Sequence, residues 1–141
     1  MSTIRNHRDL EAWRWALETA IETYKLTDRF PSSETYGLRS QMRRASVSVP
    51  SNIAEGQSRP ARACLNHLSI ALGSLAELDT QVEVALRLKY VTVDDAKELR
   101  RVQESTTRLV AGLRRAKRMQ ITGSTVIGAV TILGLFLSLA R

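Results

Sequence analysis

Arg62 and His67 are the two side chains whose types and spacing most readily suggest chemistry. An arginine can steady a phosphate and a histidine five positions on can move a proton, which is the pairing that RNA cleavage requires. A second group, Gln41, Arg44, Ser48, Asn52 and Glu55, recurs at steps of three and four and therefore occupies one face if the segment is helical. These side chains suit hydrogen bonds to a neighbouring helix or subunit, with Ser74 and Glu77 as candidate partners, and such bonds fix the register of an apolar contact. A third group, Arg43, Arg59 and Arg62, offers positive charge to phosphate. Basic residues without interleaved aromatics meet backbone charge rather than base edges, so any RNA or DNA binding should be salt-sensitive and weakly selective. Aromatic residues are 5% of the chain, too few for a base-stacking platform.

Other chemistry finds little support. His7 and His67 lack the paired spacing of a zinc site, and Cys64, the only cysteine, forms neither an intramolecular disulfide nor a multi-thiolate centre. Cys64 fits a small buried apolar position in a reducing compartment. The segment RRASVSVPSNIAEGQSR, residues 43–59, carries proline, glycine and small polar residues. It lacks the glycine-rich loop followed by lysine and serine or threonine that cradles nucleotide phosphates, and no strand precedes it. The expectation is a protein without a catalytic site, metal or cofactor.

The elements that must position these residues are helices. From Asp9 as N-cap, Leu10, Trp13, Leu17, Ala20, Ile21 and Tyr24 form an apolar stripe that ends at Phe30-Pro31. With Ser33 as cap, a second helix carries Leu38, Met42, Ala45, Val49 and Ile53; Pro50 predicts a bend and Gly56 a left-handed C-cap. A third helix after the turn at Gln57 to Pro60 presents Leu65, Leu68, Leu72, Leu75, Val82 and Leu86, with Asp79 in the one missing heptad position. Thr92 and Asp95 resemble a capping box before a fourth helix bearing Leu99, Val102, Thr106, Leu109, Leu113 and Ala116. Similar lengths and short turns predict an all-α, antiparallel up-down-up-down four-helix bundle over residues 1–118.

Residues 119–141 differ. Met119 to Ala140 contains no charged residue, which predicts a single transmembrane helix behind the basic flank Arg114, Arg115, Lys117 and Arg118. That flank places the N-terminal domain on the cytoplasmic side. Small residues four apart, Ser124 with Gly128 and Gly134 with Ser138, suit close helix packing in lipid, so a membrane-disrupting or pore-forming oligomer is an alternative. The chain of 141 residues has 21 Lys and Arg against 14 Asp and Glu, a net charge of +7 and a pI near 10.3, which favours an anionic partner. Its amino terminus has no apolar stretch that could act as a cleaved export signal.

LRSQMRRASVSVPSNIAEGQSR (38–59) and ALGSLAELDTQVEVALRLKYV (71–91) carry a family likeness. The chain resembles, over about residues 8 to 117, the bacterial four-helix-bundle proteins often encoded in intervening sequences of large-subunit ribosomal RNA genes. A related branch includes the accessory protein of diversity-generating retroelements, a basic pentamer that binds nucleic acid and a reverse transcriptase. The resemblance implies a ring-like homopentamer with no known catalytic site or cofactor, and leaves any further protein partner unnamed. His67 stands where the family tends to have an aromatic residue, and the apolar tail runs past the usual end. Separately, Arg62 and His67 match a spacing found in helical ribonucleases of the HEPN type, which makes a ribonuclease the other alternative. There the motif usually lies on a late helix; here it opens the third. The expected function is that of a basic, non-enzymatic oligomeric binding or scaffold protein held at a membrane.

Overall fold

The computed structural model describes residues 6–139, and the side chains of residues 6–123 and 125. Four helices form: α1 (Glu11–Thr27), α2 (Leu38–Gln57), α3 (Ala61–Arg87) and α4 (Val93–Leu139), with short 3-10 turns at His7–Asp9 and Ser32–Glu34 and no strand among the described residues. Each helix packs against its two neighbours in the cyclic order α1, α2, α3, α4. Contacts between them run antiparallel: Arg29 reaches Asp95 and Thr19 reaches Thr106 between α1 and α4, while Arg100 reaches Glu83 and Arg114 reaches Ser69 between α4 and α3.

The core has two apolar clusters. One gathers Leu26, Phe30, Met42, Leu78, Val82 and Leu99; the other gathers Leu10, Val49, Ile53, Leu68, Leu75 and Val110. Between them on α1 and α4 lies a polar layer, where Thr19 Oγ1 and Thr106 Oγ1 are 2.8 Å apart and Gln103 Nε2 donates to Leu75 O at 3.0 Å.

The apolar faces of α2 and α3 follow the heptad-like positions, with Met42, Ala45, Val49, Ile53, Leu68, Leu75 and Val82 buried. The register of α1 does not follow its largest side chains. Ile21 and Tyr24 are exposed, whereas Ala12, Ala16, Thr19, Ala20, Thr23 and Thr27 face inward. Threonine tolerates this burial because Thr19, Thr23 and Thr27 donate to the carbonyls of Trp15, Thr19 and Thr23 one turn back. Small inward side chains then let α1 lie close to its neighbours.

Helix ends also differ in part from expectation. Leu10, not Asp9, precedes α1, and Asp9 instead closes a capping box with Asn6 in the preceding 3-10 turn. Glu34, not Ser33, caps α2, its Oε2 accepting from Leu38 N at 2.8 Å. Thr92 and Asp95 do form the reciprocal capping box of α4, with Asp95 Oδ2 accepting from Thr92 N at 2.9 Å and Thr92 Oγ1 accepting from Asp95 N at 3.1 Å. Gly56 has no positive φ and lies within α2. Among the described residues the left-handed one is Lys89, with φ 58°. It follows α3 in a Schellman arrangement in which Tyr90 N donates to Ala85 O and Lys89 N to Leu86 O, both at 3.0 Å.

The expected transmembrane helix requires correction. Among the described residues no helix is long and apolar enough to cross a membrane, so the single-pass placement with a cytoplasmic N-terminal domain, the membrane anchor over 119–141 and the pore reading built on it are withdrawn. The described part of this helix is its charged part, and the side chains of residues 126–141 lie outside the described ones. α4 runs through 118 and 119 without a break, and its described side chains include the charged Arg114, Arg115, Lys117 and Arg118. The small residues Gly128, Gly134 and Ser138, and Ser124, lie outside the described side chains.

Candidate functional site

Gly56 sets the spacing of the α2–α3 seam. A Cβ there would lie 2.9 Å from His67 Cβ and 3.4 Å from Cys64 O, so the missing side chain lets α3 approach. Across this contact runs a chain of polar groups. Ser74 Oγ lies 2.9 Å from Ser48 Oγ, and Asn52 Nδ2 donates to Ser48 O at 2.9 Å and to Ser48 Oγ at 3.1 Å. A carbonyl only accepts, so the Asn52 amide nitrogen is committed and its Oδ1 faces His67 Nδ1 at 3.0 Å; the imidazole therefore carries its hydrogen on Nδ1. His67 Nε2 lies 3.8 Å from Glu55 Oε1, which accepts from Arg59 Nη2 at 3.2 Å. The Glu55–Arg59 pair is half exposed and adds little to stability.

Ser48, Asn52 and Glu55 thus converge on α3, with Ser74 and His67 completing the seam. Gln41 and Arg44 do not join it. Both are exposed, lining a hollow of about 420 Å³ with Ser74 and Glu77. The role of His67 as the Asn52 partner was not read from the sequence; the signal that could have found it is Gly56, one turn beyond Asn52.

Arg62 and His67 are not brought together. Five positions on an α-helix separate them by about 140° around its axis. His67 turns to α2, whereas Arg62 lines a hollow with Gln120, Ile121 and Thr125 on α4. Cys64 is buried, and burial pushes its thiol up from the ordinary cysteine range, with the charge of Lys117 opposing only in part. A protonated buried thiol is a poor nucleophile. His7 stacks edge-on against Trp13, with ring centroids 5.0 Å apart. Among the described residues no cluster of three or more His, Cys, Asp or Glu could hold a metal ion.

The basic residues differ in how far they are paired. Arg43 is committed to structure: Nε donates to Thr27 Oγ1 at 2.9 Å, Nη2 to Asp28 Oδ1 at 2.7 Å, and Cζ lies 4.4 Å from the centre of the Tyr24 ring. Lys25, Arg29, Arg87, Arg100 and Arg101 likewise pair with carboxylates, around the end of the bundle where α1 and α3 finish and α4 starts. Arg62, Arg108, Arg114, Arg115, Lys117 and Arg118 form no ion pair among the described residues. Arg114 Nη1 donates to the neutral Ser69 Oγ at 3.3 Å, and Arg114, Arg115 and Arg118 line a hollow of about 640 Å³ with Ala111 and Met119. On α4 the cause is compositional, since no acidic residue follows Glu104.

A family model described as 23S rRNA-intervening sequence protein matches residues 8–112. A solved structure from Bacteroides thetaiotaomicron VPI-5482, described as a protein with unknown function from the S23 ribosomal protein family, superposes with a TM-score of 0.67 at 21% identity. It covers 74% of this chain and 95% of its own, a likeness of fold. No curated protein matches the sequence.

Proposed function

The chain belongs to the 23S rRNA-intervening sequence protein family, and from that premise we propose that it is a non-enzymatic bundle that assembles with copies of itself and holds nucleic acid by its phosphate backbone. The observation that carries the reading is the basic segment of α4, Arg108, Arg114, Arg115, Lys117 and Arg118, with no carboxylate in ion-pair contact among the described residues. Unneutralised guanidinium groups on one end of a bundle attract a polyanion and displace its counterions. The divergence of Arg62 and His67 supports a binding role over RNA cleavage. Self-assembly is supported by Ile70 and Val84, two exposed apolar side chains on the outer side of α3, four turns apart.

Binding of labelled single-stranded RNA and duplex DNA, measured across a salt series, tests the reading. The expected result is tight binding at low salt that weakens steeply as salt rises. Replacing Arg115, Lys117 and Arg118 together by alanine should lower the slope for single strands by about 0.7 per lost contact. No binding at low salt, or RNA shortened by a reaction that depends on His67, overturns the proposal. Light scattering that shows only monomer at micromolar concentration removes self-assembly from it.

A further inference from the structure

Another hollow lies away from the basic end of α4. It opens between the end of α1 and the first turns of α2, with a volume of about 640 Å³, and is lined by Tyr24, Arg39, Ser40, Arg43, Arg44 and Val47. Its guanidinium groups are not equivalent. Arg43 is held by Asp28, Thr27 and the Tyr24 ring. Arg39 is tethered through Nη2, which donates to Phe30 O at 2.7 Å, and this fixes the group while leaving its Nε–H buried with no acceptor. Arg44 is exposed and forms neither an ion pair nor a hydrogen bond among the described residues.

Arg39 Nε is sealed from solvent, so a ligand in the hollow meets the other N–H groups of the guanidinium, whose direction the bond to Phe30 O fixes. Beside it, Arg44 supplies a second positive charge, and Ser40 offers a hydroxyl. Among the described residues, Asp28, already engaged by Arg43, is the only carboxylate paired with a residue of this hollow. The lining also carries apolar groups: Tyr24 and Val47 are each 43% exposed, and the Tyr24 ring is held in place by the overlying Arg43. The hollow therefore joins oxyanion-seeking guanidinium groups to exposed apolar ones.

We propose that this hollow binds a phosphate monoester attached to a flat ring, of the mononucleotide class. Its phosphate oxygens are taken by Arg39 and Arg44, and its ring lies against Tyr24 and Val47. Two guanidinium groups favour a dianionic monoester over a singly charged diester within a strand. The site is independent of the unpaired arginines on α4 and does not rest on the nucleic-acid reading.

The test is calorimetric titration of the full chain with adenosine 5′-monophosphate, inorganic phosphate and adenosine as separate probes. The monophosphate is expected to bind more tightly than either fragment. Arg44→Gln should weaken it about tenfold or more, as expected for loss of a charge-assisted pair, and Arg44 is exposed, so the fold is retained. Arg39→Lys, which keeps the charge and removes the planar guanidinium fork, should weaken it as well. Replacing Arg115, Lys117 and Arg118 by glutamine should leave it unchanged, which separates this site from backbone binding on α4. Absence of binding at millimolar monophosphate, equal affinity for all three probes, or insensitivity to Arg44→Gln overturns the proposal.

Discussion

Asn52 Oδ1 and His67 Nδ1 lie 3.0 Å apart and join α2 to α3 beside Gly56, whose missing side chain lets the two helices approach. The contact does more than pair two side chains. Asn52 spends its amide hydrogens on Ser48, so its orientation, and with it the tautomer of His67, is set from within α2.

Asn52→Ala should therefore destabilise the bundle by about 1–3 kcal/mol, because it strands His67 Nδ1–H in a half-buried seam. Gln41→Ala, on the same face but outside the seam, should stay within about 0.5 kcal/mol of the parent. Urea unfolding of the two variants measures the contrast. Equal midpoints would mean that the seam contributes nothing to the fold.

Gly56→Ala tests the close approach itself. The new Cβ meets the Cβ of His67, an atom fixed to the α3 backbone, rather than the end of a flexible side chain. Separating the helices at that point should cost about 1–3 kcal/mol, although alanine is the better helix former by about 1 kcal/mol. A thermal midpoint higher than the parent's would show that the seam has room to open.

Lys89→Gly should act in the opposite direction. Lys89 holds φ at 58° to close the Schellman turn after α3, a conformation that costs an ordinary residue about 1–2 kcal/mol and glycine almost nothing. Part of that gain is offset by the greater freedom of glycine in the unfolded chain, leaving about 0.5–1 kcal/mol of stabilisation. A lowered urea midpoint would contradict the assignment of strain to this residue.

Glu34 and Tyr90 should mark both edges of the pH profile. The Leu38 N–H, and then the Tyr90 hydroxyl, hold the Glu34 carboxyl below the ordinary range. Its contribution to stability is complete above the unfolded value of about 4.3 and is lost as pH falls through the lower folded value. Tyr90 shifts upward, chiefly through its hydrogen bond to Glu34, so its contribution is complete below about pH 10 and is lost as pH rises through the folded value. Glu34→Gln should reduce the acid loss and Tyr90→Phe the alkaline loss, read from urea midpoints across the pH range. Unchanged profiles in both variants would dissociate the pair from stability.

What the sequence by itself determined is local or periodic. Four helices, the family likeness and the Thr92–Asp95 capping box were legible because each depends on residues close together in the chain. The inward positions of α2 and α3 were legible because long apolar side chains repeat there at helical spacing. The face holding Ser48, Asn52 and Glu55 was legible for the same reason. Tertiary structure decided the rest. It turned α1 onto its alanines and threonines, because a hydroxyl bonded to the preceding turn can be buried while Ile21 and Tyr24 remain outside. It committed Arg43 to Asp28 and Tyr24, left Arg62, Arg108, Arg114, Arg115, Lys117 and Arg118 without an ion pair among the described residues, and sent Arg62 and His67 to different neighbours. Spacing along one helix fixes the angle between two side chains, but what each side chain meets depends on which neighbouring helix lies across from it and how closely a residue such as Gly56 lets that helix approach.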